Sequence, residues 1–424
     1  MKEAGVGIET QSVDVALFDM VMSLSRALDL LHPAIGEHHL RVAYLCASIA
    51  EHAGFRSNEI QEIIIAGALH DIVAVCKPHS HSLLDRVLSR YDDDMADGEC
   101  IHEHAEEGYH VLREFPPFAQ AAAIIRFHHV DWNFGKGEFQ GRLPIPLASH
   151  ILRLADRLAV LPTDDCLILC QKDHIRQSIQ AGTGSLFCPE LVKIFEDISD
   201  KESFWLDLVS KHKEKILSHR FFGETSIRLR MDNLYGLAKV YARIIDYRSA
   251  YTASHSSRVA SASELLADRL DLPASTVRLV GIAGYLHDIG KLAVPVALLD
   301  KPGKLTAEEM LLIRQHPYYT HQILSPVPGL ETIGMWAAFH HERLDGAGYP
   351  FRPRQIPLEA RIVAVADVFT AITEDRPYRK GMSKKDSLGI LNKMVRDGAL
   401  DGDIVSLLPA IYEDIHHAQE LALA

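Results

Sequence analysis

Histidine and aspartate recur in this chain in a pattern whose members are nearly all potential metal ligands. In the C-terminal part the series is His255, His287-Asp288, His316, His340-His341 and Asp367. In the N-terminal part it is His38, His70-Asp71, His104, His128-His129 and Asp156. The first step is 32 residues in both copies (38→70 and 255→287), and the third is 24 in both (104→128 and 316→340). Neutral imidazole and carboxylate together suit first-row divalent metals: iron, manganese, cobalt, nickel or zinc. One such ion takes about three or four protein ligands, so the size of each set points to two ions. An aspartate directly after a histidine is placed to bridge them. Adjacent pairs such as His340-His341 are expected to divide between the two. Two ions about 3.5–4 Å apart hold an activated water and clamp a phosphodiester for in-line attack. A lone histidine on an apolar helix is more often a hydrogen-bonded core residue, but a whole set recurring at matched steps is not explained that way.

Only the second copy carries the further groups that a phosphate substrate would need. Lys291 lies three residues after Asp288 in HDIGK (287–291), one turn along, where it can donate to a phosphate oxygen or a leaving alkoxide. The run HHERLDGAGYP (340–350) follows the histidine pair with a glycine-rich turn that brings backbone close to substrate. Past Asp367, EDRPYRKGMS (374–383) gathers Arg376, Arg379 and Lys380. Guanidinium groups suit bidentate contacts to phosphate or guanine, and Tyr378 can stack on a base. An ordinary solvated loop is the competing account of that run.

The elements that must position these residues read as helices. Val13–Leu31 and Met231–Tyr247 are amphipathic counterparts, each followed by a histidine and a second apolar-periodic stretch. Flanking residues repeat as well, Arg41-Val42-Ala43 matching Arg258-Val259-Ala260, and IIIAGALHDI (63–72) matching LVGIAGYLHDI (279–289). Alternating strand patterns are scarce. The stretch 205–225 reads as a basic amphipathic helix with a glycine break, a packed connector between two rigidly apposed halves. The expected architecture is all-α, two tandem helical domains, 1–222 and 223–424.

Composition narrows the partners. The chain has 424 residues, 44 basic and 57 acidic, for a net charge of −13, which gives no footprint for a DNA or RNA duplex. A small anionic substrate stays open, because bound cations reverse the local sign. No apolar stretch approaches the roughly 18 residues that span a bilayer, and the N-terminus lacks a signal-peptide pattern. The six cysteines show no zinc spacing and fit reduced thiols in a cytoplasm. Cys166 and Cys170 are expected to be small buried hydrophobes.

His255, HDIGK, His316, HHERLDGAGYP and the Asp367…RPYRK stretch resemble the HD-GYP family of HD-domain metal-dependent phosphohydrolases, over about residues 225–415. The resemblance implies an all-helical fold and a di- or trinuclear metal centre that hydrolyses bacterial cyclic dinucleotides, cyclic di-GMP or 3′,3′-cyclic GMP-AMP. It makes His255, His287, Asp288, His316, His340, His341 and Asp367 metal ligands, Lys291 a catalytic lysine, and Arg376 and Arg379 substrate contacts. Trinuclear members have a glutamate four residues before the first histidine; Tyr251 stands there, which favours two ions. The N-terminal half resembles a diverged HD domain. Its ligand positions His38, His70, Asp71, His104, His128, His129 and Asp156 are filled. HDIVA (70–74) puts Ala74 at the lysine position, and HHVDWNFGKG replaces the GYP loop, so a regulatory, dimer-forming or substrate-assisting role is expected there. A homodimer and a pairing of the halves within one chain both stay open. Two other classes remain: an HD-type diiron oxygenase, and a non-catalytic nucleotide-sensing module.

Overall fold

The computed structural model describes residues 14–29, 37–73, 98–223, 226–247, 254–301, 303–375 and 380–421. Among them the chain is a succession of helices with two pairs of two-residue strands, the all-α class that the periodicity implies. In the first half the helix His38–His52 packs on Ser57–Leu69 and on Leu147–Ala159. In the second, His255–Arg269 packs in the same way on Ala274–Leu286 and Leu358–Thr373. Each trio therefore brings the first histidine, the His-Asp pair and the last aspartate of one set together.

Two glycines explain why the flanking residues repeat. A Cβ on Gly67 would stand 3.0 Å from the Ala43 Cα, and one on Gly284 would stand 2.8 Å from the Ala260 Cα. Only small residues on both helices allow this approach, so the Arg-Val-Ala and Ala-Gly motifs are the two faces of one contact. Gly67 and Gly284 each precede the His-Asp pair by three residues, which makes the contact the element that delivers that pair to the site.

The first helix is Leu17–Asp29, shorter than the expected Val13–Leu31; residues 13 and 30–31 lie outside the described residues. Its start is set by a strand pair, Val15–Ala16 against Arg228–Leu229, and by the Leu17 N–H donating to Ile227 O at 2.8 Å. The helix is buried almost throughout because it lies between the halves. It packs on Ser57–Leu69 and also on the second half's His316–Leu324 helix and Ile289–Ala293 turn. Ser23 Oγ donates to Ile323 O, and Tyr241 Oη donates to Met20 O at 2.8 Å. One apolar core runs through both halves.

The connector differs from the single helix expected over 205–225. It is two short helices, Glu202–Leu208 and Lys213–Leu217, with a π turn Ser218–Phe222 ending at Gly223. Trp205, Leu217 and Phe222 are buried, and the buried Lys213 ammonium pairs with Glu37 at 2.6 Å. Cys166 and Cys170 also depart from expectation: both are exposed, and Cys166 precedes the Ile168–Ala181 helix, so no helical face buries it. No helix among the described residues is long and apolar enough to cross a membrane.

Adding one methyl at the tight crossing should overpack it. Gly284→Ala is expected to cost about 1–3 kcal/mol, read as a lower midpoint in chemical unfolding. Gly389→Ala, where an added Cβ meets nothing within 4 Å, should not lower the midpoint.

Candidate metal centres

The second half gathers its set from five elements. His255 opens the His255–Arg269 helix, and His287 and Asp288 follow the end of Ala274–Leu286. His316 opens His316–Leu324, His340 and His341 sit in the turn after Glu331–Ala338, and Asp367 lies within Leu358–Thr373. All but the half-buried His341 are buried. His255 Nε2 is 3.1 Å and His287 Nε2 3.9 Å from Asp367 Oδ1. Asp288 stands between two groups, its Oδ2 3.2 Å from His287 Nε2 and its Oδ1 3.4 Å from His316 Nε2. A carboxylate in that place could bridge two ions.

The first half repeats this geometry. His38 Nε2 is 3.3 Å and His70 Nε2 3.6 Å from Asp156 Oδ1, and Asp71 reaches His70 at 3.2 Å and His104 at 3.4 Å. The ligand atoms fall into two groups in each half. In the first they are His38, His70 and Asp156, beside Asp71, His104, His128 and His129. In the second they are His255, His287 and Asp288, beside His316, His340 and His341. The adjacent histidines therefore do not divide between the groups as expected. Both pairs lie in turns past a helix end, where neighbouring side chains escape the roughly 100° divergence of a helix and point to the same side.

Tautomers show what these groups are built to hold. The Nδ1 of His287, His316 and His340 donates to the carbonyl three residues earlier, at 2.8, 2.7 and 2.7 Å. His70 and His128 do the same at 3.0 and 2.6 Å. A carbonyl only accepts, so each neutral ring carries its proton on Nδ1 and a lone pair on Nε2. His316 Nε2 and His340 Nε2 are 3.1 Å apart, two lone pairs facing one another. The buried atoms His287 Nε2, His38 Nε2, His70 Nε2, His128 Nε2, Asp71 Oδ1 and Asp156 Oδ1 have no hydrogen-bond partner of proper geometry. Such atoms cost free energy unless a cation satisfies them. Both sets fit divalent metal.

The electrostatics agree. Burial would raise Asp288, but His287 and Lys291 beside it hold its carboxyl well below the usual range. Asp367 is likewise held low against its burial by His255 and His287. Burial pushes His316 down to about 3, which keeps it neutral. His255 and, in the first half, His70 are the exceptions: against burial, Asp367 and Glu374 raise His255 and Asp71 and Asp156 raise His70, so a bound metal must displace their protons.

Lys291 lies in the Ile289–Ala293 turn with its Nζ 2.5 Å from Asp288 Oδ2, at the centre as expected. A Cβ on Gly290 would stand 1.9 Å from His316 O, so glycine alone lets that turn seat on the His316 helix. Thr320 locks the seat: its Oγ1 donates to His287 O at 2.8 Å and accepts from the Gly290 N–H at 3.1 Å. Val73 stands at the glycine's place in the first half. Ala74, Tyr251, Arg376 and Arg379 lie outside the described residues.

Sequence reading missed two carboxylates. Glu374 accepts from Ser254 Oγ at 3.2 Å and faces His255 Nδ1 at 3.4 Å, turning the other ring nitrogen toward Asp367. Its signal was its place seven residues after Asp367, two turns along one face; Thr163 occupies that place in the first half. Glu342 is buried and accepts from the Phe351 and Arg352 N–H groups at 2.7 and 3.1 Å, stapling the glycine-rich loop. In that loop Gly346 has a φ of 74°, and a Cβ on Gly348 would meet Arg343 N at 2.5 Å. The first half keeps the turn, with Gly135 at φ 86° and an equally crowded Gly137. What it lacks is Tyr-Pro and the glutamate staple.

Known proteins are similar to this chain over both halves. The HD domain family matches the chain twice, at residues 35–161 and 239–404. The 3′3′-cGAMP-specific phosphodiesterase 1 of Vibrio cholerae is 30% identical over 424 residues, covering 96% of this chain and 95% of that one. The chain belongs to the HD-GYP family. A crystal structure of another member, the cyclic GMP-AMP specific phosphodiesterase V-cGAP3 of V. cholerae, matches at a TM-score of 0.64 and 25% identity, over 97% of this chain and 98% of that one. A cyclic di-GMP phosphodiesterase of Pseudomonas aeruginosa is 46% identical over 141 residues, 32% of this chain and 34% of its own.

The outer carboxylate gives this HD-GYP centre a measurable property. Glu374→Gln should weaken metal binding by about 10–100-fold, read by Mn²⁺ titration calorimetry. In the unaltered protein the affinity of this centre should rise between pH 6 and pH 8 as the His255 proton becomes easier to displace. A flat profile would show that His255 carries no proton to lose.

Proposed function

We propose that the second half hydrolyses a 3′–5′ phosphodiester of a bacterial cyclic dinucleotide, opening the ring to a linear dinucleotide. The observation that carries this is the lysine turn. Of the two centres, the second presents a described lysine amine at its bridging aspartate and the glycine-rich loop ending in Tyr349-Pro350. Divalent ions bound there would supply Lewis acidity, lowering the pKa of a water and neutralising phosphate charge. His255, His287, Asp288, His316, His340, His341 and Asp367 would hold two ions, of iron, manganese, nickel, cobalt or zinc. The Lys291 ammonium would donate to the phosphoryl oxygen as negative charge develops on it. Arg376 and Arg379 would hold the remaining phosphate or a base. The family relatives that span the whole chain act on 3′3′-cGAMP and a shorter match acts on cyclic di-GMP, which favours cyclic GMP-AMP as substrate. Such an enzyme would work in the bacterial cytoplasm, where its substrate is found.

The first half, divided from the second near residue 222, would be a second metal centre with a regulatory role. Its matching distances and unsatisfied buried atoms support this. Metal analysis should find about four ions per chain, two per centre, and about two in a His70→Ala/Asp71→Ala variant.

Turnover of both dinucleotides by Mn²⁺- or Fe²⁺-loaded protein tests the main proposal. Lys291→Ala should lower kcat by roughly 10²–10⁴ without loss of metal, and His287→Ala/Asp288→Ala should abolish turnover. No cleavage by fully metallated protein, or O₂-dependent turnover of another substrate, would replace the hydrolase reading with the oxygenase or the sensing module.

A further inference from the structure

Beside the first centre lies a cavity where the second half has a tyrosine. The Tyr349 ring is 5.0 Å from the His341 ring, and the Arg314 guanidinium lies 4.3 Å from its centroid. Counting from the matched histidines, His129 corresponds to His341 and His102 to Arg314. The His102 and His129 rings are 6.5 Å apart, and the tyrosine between the corresponding residues of the second half has no counterpart: Glu138 and Phe139 follow Gly137 where Tyr349 and Pro350 follow Gly348. A cavity of about 300 Å³ opens there, with His102, His129, Asp131, Lys136, Phe139 and Gln140 in its wall, the Asp131 carboxylate being paired with Arg153 at 2.9 Å.

Three groups in that wall supply three kinds of recognition. His129 belongs to the ligand set, so the cavity reaches the centre itself. Lys136, exposed at the middle of the Gly135–Gly137 turn, adds a cation in an otherwise acidic chain. Phe139 is 57% exposed, which leaves an aromatic face in water at the opening. Its volume sits at the small end of the range for ligand sites, about 300–1,000 Å³. It suits one nucleotide and not two.

We propose that this cavity binds a nucleoside 5′-monophosphate, with its phosphate toward His129 and Lys136 and its base against Phe139. A metal centre and a lysine account for the phosphate; exposed aromatic faces stack on any base. The inference rests on the reading of the first half as a second metal centre. It deepens that reading by naming what the centre senses: the class of molecule that complete hydrolysis of a cyclic dinucleotide yields.

The test is calorimetric titration of GMP, AMP and inorganic phosphate into full-length, Mn²⁺-loaded protein, with metal content measured on the same samples. Lys136→Ala and Phe139→Ala are compared, both at exposed positions where folding is not at stake. The expected result is binding of GMP or AMP that each substitution weakens roughly tenfold or more, at unchanged metal content. Affinity unchanged in both variants would place the ligand elsewhere and overturn the inference. So would absence of nucleotide binding, whether the protein carries metal at one centre or at both. Phosphate binding as tightly as GMP, with Phe139→Ala silent, would remove the nucleotide from the site. Cyclic-dinucleotide turnover by the same preparation reports on the phosphodiesterase separately, so failure of one does not pass for failure of the other.

Discussion

Everything in this fold is arranged around a buried aspartate between two groups of histidines. Asp288, and Asp71 in the first half, each lie within 3.4 Å of imidazole nitrogens on either side. A desolvated carboxylate is costly unless a cation or donors surround it. The histidines cannot serve as those donors while neutral, because their protons are committed to carbonyls one turn back. The rings are thereby fixed as electron-pair donors, and the aspartate faces the same space as they do. Helix crossings that hold the rings in place follow from this, down to the glycine–alanine contacts that deliver each His-Asp pair.

The duplication shows which parts of such a centre are separable. The buried histidines, aspartates and helix crossings are kept in both halves, because losing one polar partner leaves the others unsatisfied in a dry interior. The groups that touch a substrate or tune a ligand are not under that constraint, and they diverge. Val73 stands for Gly290, Val130 for Glu342 and Thr163 for Glu374. Each exchange removes a contact that the second half makes around its set. Replacing Gly290 alone has a geometric consequence, since any side chain there collides with His316 O. The segment between the His-Asp pair and the next histidine is correspondingly longer in the first half (70→104 against 287→316).

The halves also share parts. Leu17–Asp29 belongs to the first half by sequence, yet it packs on the second half's lysine-bearing turn and on the His316 helix. Strand Val15–Ala16 is closed by Arg228–Leu229 from across the boundary. A packed helix therefore lies between the two histidine–aspartate sets.

Much of this was legible in the sequence. Two ligand sets, the lysine, the glycine-rich loop and the all-helical class follow from residue types and spacing, because metal coordination demands particular side chains and a helix imposes its period. The place of Asp288 between two groups of histidines followed too. Spacing did not reveal that His340 and His341 share one group, since only the turn past the helix end decides where neighbours point. Nor did it show Glu374 and Glu342, which act through contacts across the fold, or the exposure of Cys166 and Cys170. The first helix begins late because a distant strand pairs with its start. Chemistry that needs a residue type is written locally, whereas orientation, tautomer and the open space beside His129 depend on atoms far apart in the chain, and only their packing together decided them.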